Sequence, residues 1–195
     1  MTENIPQLKR DLRRILKDRL SGAAMQNLDA ANALRDRFLE SITLPAGSII
    51  AGYMAKDHEI DPAPLLVALH AKGYKLALPT AGAENRPLQF RVYAPDDELI
   101  SGSWDIPQPT ANAAITEPDI MLIPLLGFDR QGHRLGRGGG HYDRTLADLR
   151  VRRKILAIGL ALSMQQVPII PTDSNDARLD KIVTEIEVIQ ILNHS

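Results

Sequence analysis

Apolar positions recur at helical spacing near the start of the chain. Leu8, Leu12, Ile15, Leu16 and Leu20 share one face of a first helix, and Leu28, Ala31, Leu34 and Phe38 continue the period in a second. Past Pro45 the period changes. The runs SIIAGYM (48–54), YKLALP (74–79), LQFRVY (88–93), DIMLIPLL (119–126), KILAIGLA (154–161) and EIEVIQIL (185–192) have the length and composition of strands, while PAPLLVALHAKG (62–73) and HYDRTLADLRV (141–151) read as helices between them. Asp61 followed by Pro62 predicts an N-cap and first turn for the helix over 62–73. Strands alternating with helices predict a three-layer α/β/α fold with a largely parallel central sheet and an N-terminal helical pair (1–44) packed on it, all within one domain spanning 1–195. Ligands are expected at the carboxyl ends of the strands.

Composition narrows the function classes. With 195 residues, 44% of them hydrophobic, the chain can bury a substantial core. A formal net charge of −1 argues against nucleic-acid binding driven by the whole molecule's field, although the first helix carries a basic face of Lys9, Arg10, Arg13, Arg14, Lys17 and Arg19. That face reads as a solvated surface, as a phosphate-binding surface, or least readily as a membrane attachment. There is no cysteine, which removes disulfides, thiolate metal sites and cysteine nucleophiles. No apolar run approaches the roughly 18–20 residues that span a bilayer, and the start of the chain is amphipathic rather than a signal-peptide core, so a soluble cytoplasmic protein is expected.

The densest chemistry lies in PLLGFDRQGHRLGRGGGHYDR (124–144), where six of the thirteen glycines fall between Gly127 and Gly140, interleaved with Arg130, Arg134 and Arg137 and followed by Arg144. Glycine lets backbone N–H groups approach a ligand closely, and arginine offers planar forks of donors to phosphate or carboxylate. A helix opening at His141 would add its own unpaired N–H groups. The run therefore predicts an anion cradle, with a flexible linker as the plainer reading. Known phosphate motifs do not explain it: Gly127 and Gly132 have the P-loop gap but are followed by His133 and Arg134, and the dinucleotide fingerprint begun by Gly136 and Gly138 ends on His141. Nor does the sequence contain H-E-x-x-H or G-x-S-x-G. What remains are carboxylates near the cradle: Asp143, the pair Asp176 and Asp180 in SNDARLD, and Glu59 in KDHEID. Carboxylates beside phosphate donors suit Mg²⁺ with a nucleotide, while on spacing alone Asp176 and Asp180 fit a solvated turn equally well. The irregular stretch 101–118 holds Trp104, the single tryptophan, as a core anchor or as a stacking ring for a flat ligand.

These residues resemble the 5-formyltetrahydrofolate cyclo-ligases, also called methenyltetrahydrofolate synthetases. GFDRQGHRLGRGGGHYDR (127–144) is similar to that family's G-F-D-x-x-G-x-R-L-G-x-G-x-G-Y-Y-D signature, and KRDLR (9–13), HEI (58–60), WDIPQP (104–109) and NDARLD (175–180) match in order along the rest of the chain. The resemblance implies a nucleotide site formed by Lys9, Arg13, Arg134, Arg137 and the loop glycines Gly136, Gly138, Gly139 and Gly140, with Asp143 beside it. It implies Mg²⁺ at Asp143 and Asp180, and a folate pocket of Glu59, Trp104, Gly138, Gly140, His141 and Tyr142. Catalysis would fall to Arg137, His141, Tyr142 and Asp143. His141 stands where the family has the first of two tyrosines. The implied reaction is the ATP- and Mg²⁺-dependent closure of 5-formyltetrahydrofolate to 5,10-methenyltetrahydrofolate, through a phosphorylated formyl group, by a monomer that binds neither nucleic acid nor membrane. A rival is a non-catalytic nucleotide- or RNA-binding module built on the basic helix and the arginine loop, but the chain lacks the interleaved basic and aromatic residues such surfaces use. A phosphosugar isomerase or acyl transferase on a similar fold would turn over without ATP.

Overall fold

A computed structural model describes residues 4–21, 28–80 and 86–192, apart from the side chains of Leu28 and Trp104. Helix α1 (Ile5–Ser21) and helix α2 (Leu28–Ser41) precede strand β1 (Ile49–Ala51), helix α3 (Ala63–Ala71), and strands β2 (Lys75–Thr80) and β3 (Gln89–Tyr93). A short hairpin, β4 (Leu99–Ser101) and β5 (Pro107–Pro109), is followed by β6 (Ile115–Thr116) and β7 (Ile120–Pro124). The glycine run supplies a second hairpin, β8 (Gly127–Phe128) and β9 (Arg134–Leu135), and then helix α4 (His141–Arg152). Strands β10 (Leu156–Leu160), β11 (Lys181–Val183) and β12 (Val188–Gln190) complete the fold.

Eight strands form one sheet in the order β12-β11-β10-β7-β1-β2-β3-β6. The five from β11 to β2 run parallel, while β3, β6 and β12 are antiparallel additions at the two edges. The sequence of β7 accounts for its central place. Ile120 and Leu122 pack into the core on one side, Met121 and Ile123 into the core on the other, and a strand apolar on both faces is stable only between two layers. Ala31, Leu34 and Phe38 of α2 and Leu65, Leu66 and Leu69 of α3 cover the first face. Leu146 and Leu149 of α4 cover the second. These helices and the sheet give the three layers expected from the alternation of elements. The expected cap of α3 is also present in outline: Asp61 accepts the N–H of Ala63 at 2.9 Å, with Pro62 just before the helix.

Helix α1 stands apart from these layers. Its Leu16 packs with Leu135, Val167 and Ile170, which brings its basic side over the β8–β9 hairpin. Gly127 permits that approach, since a Cβ there would lie 2.5 Å from Leu16 Cδ1. The expected strand over 185–192 is shorter and belongs to a hairpin, with β11 at KIV pairing to β12 through a turn in which Thr184 accepts from the N–H groups of Ile186 and Glu187. Among the described residues no helix is long and apolar enough to cross a membrane.

Candidate active site

Residues at the carboxyl ends of β1, β2 and β7, here Tyr53, Pro79 and Pro124, open onto a cleft of about 1130 Å³ whose other wall is the glycine run and α1. The β8–β9 hairpin gives that wall a rigid base. Asp129 is fully buried, and its carboxylate accepts the N–H groups of Gln131, His133 and Ile170, each at 3.0 Å, together with the His133 ring at 3.0 Å. A buried carboxylate is tolerated only with partners of this kind, and four of them fix the turn that carries the chain into the glycines. Gly138 (φ 107°) and Gly140 (φ 64°) occupy the left-handed region, which a side chain disfavours, and Gly140 leads directly into α4. The first turn of α4, His141 to Arg144, lines the cleft directly after these glycines.

Cations surround this loop. Arg13 on α1 donates from Nε to the Gly136 carbonyl at 2.8 Å, and its guanidinium lies where a Cβ on Gly138 would touch it. Lys9, one turn earlier, bridges Asp173 at 2.9 Å and Asp176 at 2.5 Å. Burial works against its charge, but the two carboxylates prevail and raise its pKa. Arg144 donates to the Gly139 carbonyl at 2.7 Å and lies against the His141 ring. Arg137 reaches across the cleft to the loop after β1, donating from Nε to Glu59 at 2.8 Å, from one terminal nitrogen to Asp57 at 2.9 Å, and from the other to the Lys56 carbonyl.

Arg134 behaves differently from its neighbours. Only 4% of its side chain is exposed, and its terminal nitrogens are committed to Asp143 Oδ1 at 2.7 Å and to the Ala177 carbonyl. Expected at the nucleotide, it lines the cleft and there holds the Asp143 carboxylate. The Ala177 N–H also reaches Asp143 Oδ1, at 3.1 Å. Both donors thus converge on one oxygen of Asp143.

Asp143 and Asp176 line the same cleft, whereas Asp180, expected with Asp143 at a metal, does not. The segment 176–180 runs alongside α4, so that Ala177 meets Asp143 near the helix start while Asp180 meets Arg150 at 3.0 Å near its end. Seven residues of helix separate those two points, about 10 Å. Asp180 also accepts the Ala157 N–H at 2.7 Å, at the amino end of β10 and thus at the wrong edge of the sheet for this cleft. Asp173 lines the cleft as well and was not singled out by the sequence, where its only signal is proximity to SNDARLD.

Glu59, His141 and Tyr142 all line the cleft. Burial, reinforced by the negative charge of Glu59, raises the Tyr142 phenol far above its ordinary pKa, so it remains a hydrogen-bond donor. Burial and the nearby Arg144 lower the His141 pKa, which keeps the ring neutral at pH 7. Trp104 lies in a 3₁₀ turn, Ser103–Asp105, at the tip of the β4–β5 hairpin, with its side chain outside the described residues. The flanking Ser103 and Ile106 line the cleft. One concave site thus combines phosphate-type donors, the ion-paired carboxylates Asp143 and Asp176, and the neutral rings of His141 and Tyr142.

Known proteins match this chain in sequence and in fold. A model of the 5-formyltetrahydrofolate cyclo-ligase family matches residues 5–185. The 5-formyltetrahydrofolate cyclo-ligase of Haemophilus influenzae is 31% identical over 187 residues, covering 93% of this chain and 98% of that protein. That of Escherichia coli K12 is 34% identical over 146 residues, covering 71% and 79%. The NMR structure of Aquifex aeolicus 5,10-methenyltetrahydrofolate synthetase superposes with a TM-score of 0.75 at 26% identity, covering 96% of this chain and 95% of that one.

Proposed function

The chain belongs to the 5-formyltetrahydrofolate cyclo-ligase family, and from that premise we propose that its cleft converts 5-formyltetrahydrofolate to 5,10-methenyltetrahydrofolate with consumption of ATP. A formamide oxygen leaves poorly, so it must be activated. In the proposed reaction the formyl oxygen attacks the γ-phosphorus and the bond to ADP breaks. The neighbouring N10 then adds to the formyl carbon and loses its proton, and the C–O bond breaks as inorganic phosphate departs with the former formyl oxygen. Such chemistry is governed by alignment and charge stabilisation, which suits a site rich in donors.

The residues divide accordingly. Lys9, Arg13, Arg137 and the N–H groups of Gly136, Gly138, Gly139 and Gly140 would hold the phosphates, supported by the start of α4. Glu59, His141, Tyr142 and Trp104 would hold the folate, with the protonated Tyr142 as a donor and the neutral His141 ring beside it. Mg²⁺ takes one or two protein carboxylates and fills its shell with water and phosphate oxygens. Asp143 and Asp176 fit that requirement: both line the cleft, and the hydrogen bonds to Asp143 gather on Oδ1, leaving Oδ2 for an ion. When bound, the ion would neutralise phosphate charge during transfer. Arg134 would keep Asp143 in place and stay clear of the nucleotide.

The observation that carries the reading is the convergence of Arg13, Arg137 and Asp143 on one glycine loop facing Glu59 and Tyr142. Its test is the absorbance of methenyl-folate formed from 5-formyltetrahydrofolate with Mg²⁺, with and without ATP. Product only in the presence of ATP is expected. Equal product without ATP would remove the ligase reading.

A further inference from the structure

The carboxylate assigned to the folate and the guanidinium assigned to the phosphates are bonded to each other. Only 8% of the Glu59 side chain is exposed; Oε1 is taken by Arg137 Nε at 2.8 Å and Oε2 by the Lys56 N–H at 3.0 Å. Arg137 in turn is held at three points, by Glu59, by Asp57 and by the Lys56 carbonyl. In this conformation both Glu59 oxygens and three of the five Arg137 N–H groups are already engaged. Asp57 is unusual in a second respect. It and Asp105 are the only non-glycine residues with positive φ among the described residues; its φ is 48°, and its carboxylate accepts from Arg137 at 2.9 Å. Backbone held in this region by a residue other than glycine marks sites where the surroundings impose a geometry.

We propose that Asp57 is a positioning residue that closes a clasp between Arg137 and Glu59, so that nucleotide and folate each bind only when it opens and each therefore promotes binding of the other. The proposal rests on the assignment of phosphates to Arg137 and folate to Glu59. Let the closed form outnumber the open form by a factor K. A ligand that requires the open form has its apparent Kd raised by 1 + K, and the first ligand to bind removes that penalty for the second. Reciprocity makes the factor the same for both ligands, and couplings of this kind are commonly about 5- to 150-fold. Asp57 is 56% exposed, so its pair with Arg137 is screened by water, and its loss should lower K by about two- to fivefold.

The test is calorimetric titration of wild type and Asp57→Asn, a substitution that tolerates a left-handed backbone, with the non-hydrolysable ATP analogue AMP-PNP and Mg²⁺, without folate and with saturating 5-formyltetrahydrofolate. In wild type, folate should tighten AMP-PNP binding at least about fivefold. In Asp57→Asn, AMP-PNP alone should bind about two- to fivefold more tightly than to wild type, while its Kd at saturating folate stays unchanged. A role of Asp57 in folding alone would not produce that asymmetry. Asp57→Gly, which also deletes the carboxylate and favours the same backbone, should repeat the pattern. Weaker AMP-PNP binding in the variants, no change, or the same change with and without folate would overturn the clasp. AMP-PNP failing to bind wild type under either condition would overturn the assignment of function, and the clasp with it.

Discussion

Replacing Arg134 with methionine separates support from ligand binding at this site. Arg134→Met keeps an apolar stem in the buried position and removes the guanidinium, which leaves Asp143 without its counter-charge and the Ala177 carbonyl without its donor. Breaking a buried pair by deleting one partner costs about 3–5 kcal/mol. Asp143 is 26% exposed and keeps the Ala177 N–H, so the lower end applies, about 3 kcal/mol. For a chain of this length each kcal/mol moves the melting temperature by about 2–4 °C, giving a fall of about 6–12 °C. Urea unfolding with an unchanged m-value and a parallel thermal melt measure the loss. Titration with AMP-PNP at saturating Mg²⁺ should change little. Stability within about 0.5 kcal/mol of wild type, combined with a nucleotide Kd raised tenfold or more, would refute the reasoning and return Arg134 to the phosphates.

Asp143→Asn and Asp176→Asn should each raise the Mg²⁺ needed for half-maximal rate, whereas Asp180→Asn should leave it unchanged and lower stability by about 1 kcal/mol through its bonds to Arg150 and Ala157. A magnesium titration of the three variants decides which carboxylates face the ion. Gly127→Ala should destabilise the chain by about 1–3 kcal/mol in urea, because the new methyl lies 2.5 Å from Leu16 Cδ1 and 3.3 Å from the Gln165 carbonyl; a neutral substitution would mean that α1 yields readily. His141→Tyr should keep turnover at pH 7 within about tenfold, since burial and Arg144 already hold the imidazole neutral, as the phenol would be. A loss beyond about a hundredfold, with an ionisation vanishing from the pH–rate profile, would give the ring a proton-transfer role.

The layers were legible because their signals are local and long. The two-sided apolar run of β7 and the helical period of α2 and α4 each survive in a single stretch of sequence. The β11–β12 hairpin was hidden because β11 is three residues long and its turn, Thr184–Glu187, closes through a threonine hydroxyl rather than through glycine or asparagine. The hairpin inside the glycine run was obscured by the same glycines that announce the loop. At the site, residue types were readable and their directions were not. Arg134 and Arg137 are three residues apart in one motif, yet one is buried against Asp143 and the other spans the cleft to Glu59, a difference of burial that spacing does not encode. Asp176 and Asp180 likewise look equivalent until the segment is laid along α4 and its two ends meet opposite edges of the sheet. The pairing of Arg137 with Glu59 joins residues 78 positions apart and carries no local signal at all.

The central claim is that the formyl oxygen is activated by transfer of the γ-phosphoryl group within this cleft. Turnover of 5-formyltetrahydrofolate labelled with ¹⁸O in the formyl group, with ATP and Mg²⁺ in unlabelled water, tests it directly by mass spectrometry of the inorganic phosphate released. Each phosphate should carry one labelled oxygen for every methenyl-folate formed. Unlabelled phosphate, with the ¹⁸O recovered in water, would contradict phosphorylation of the formyl oxygen.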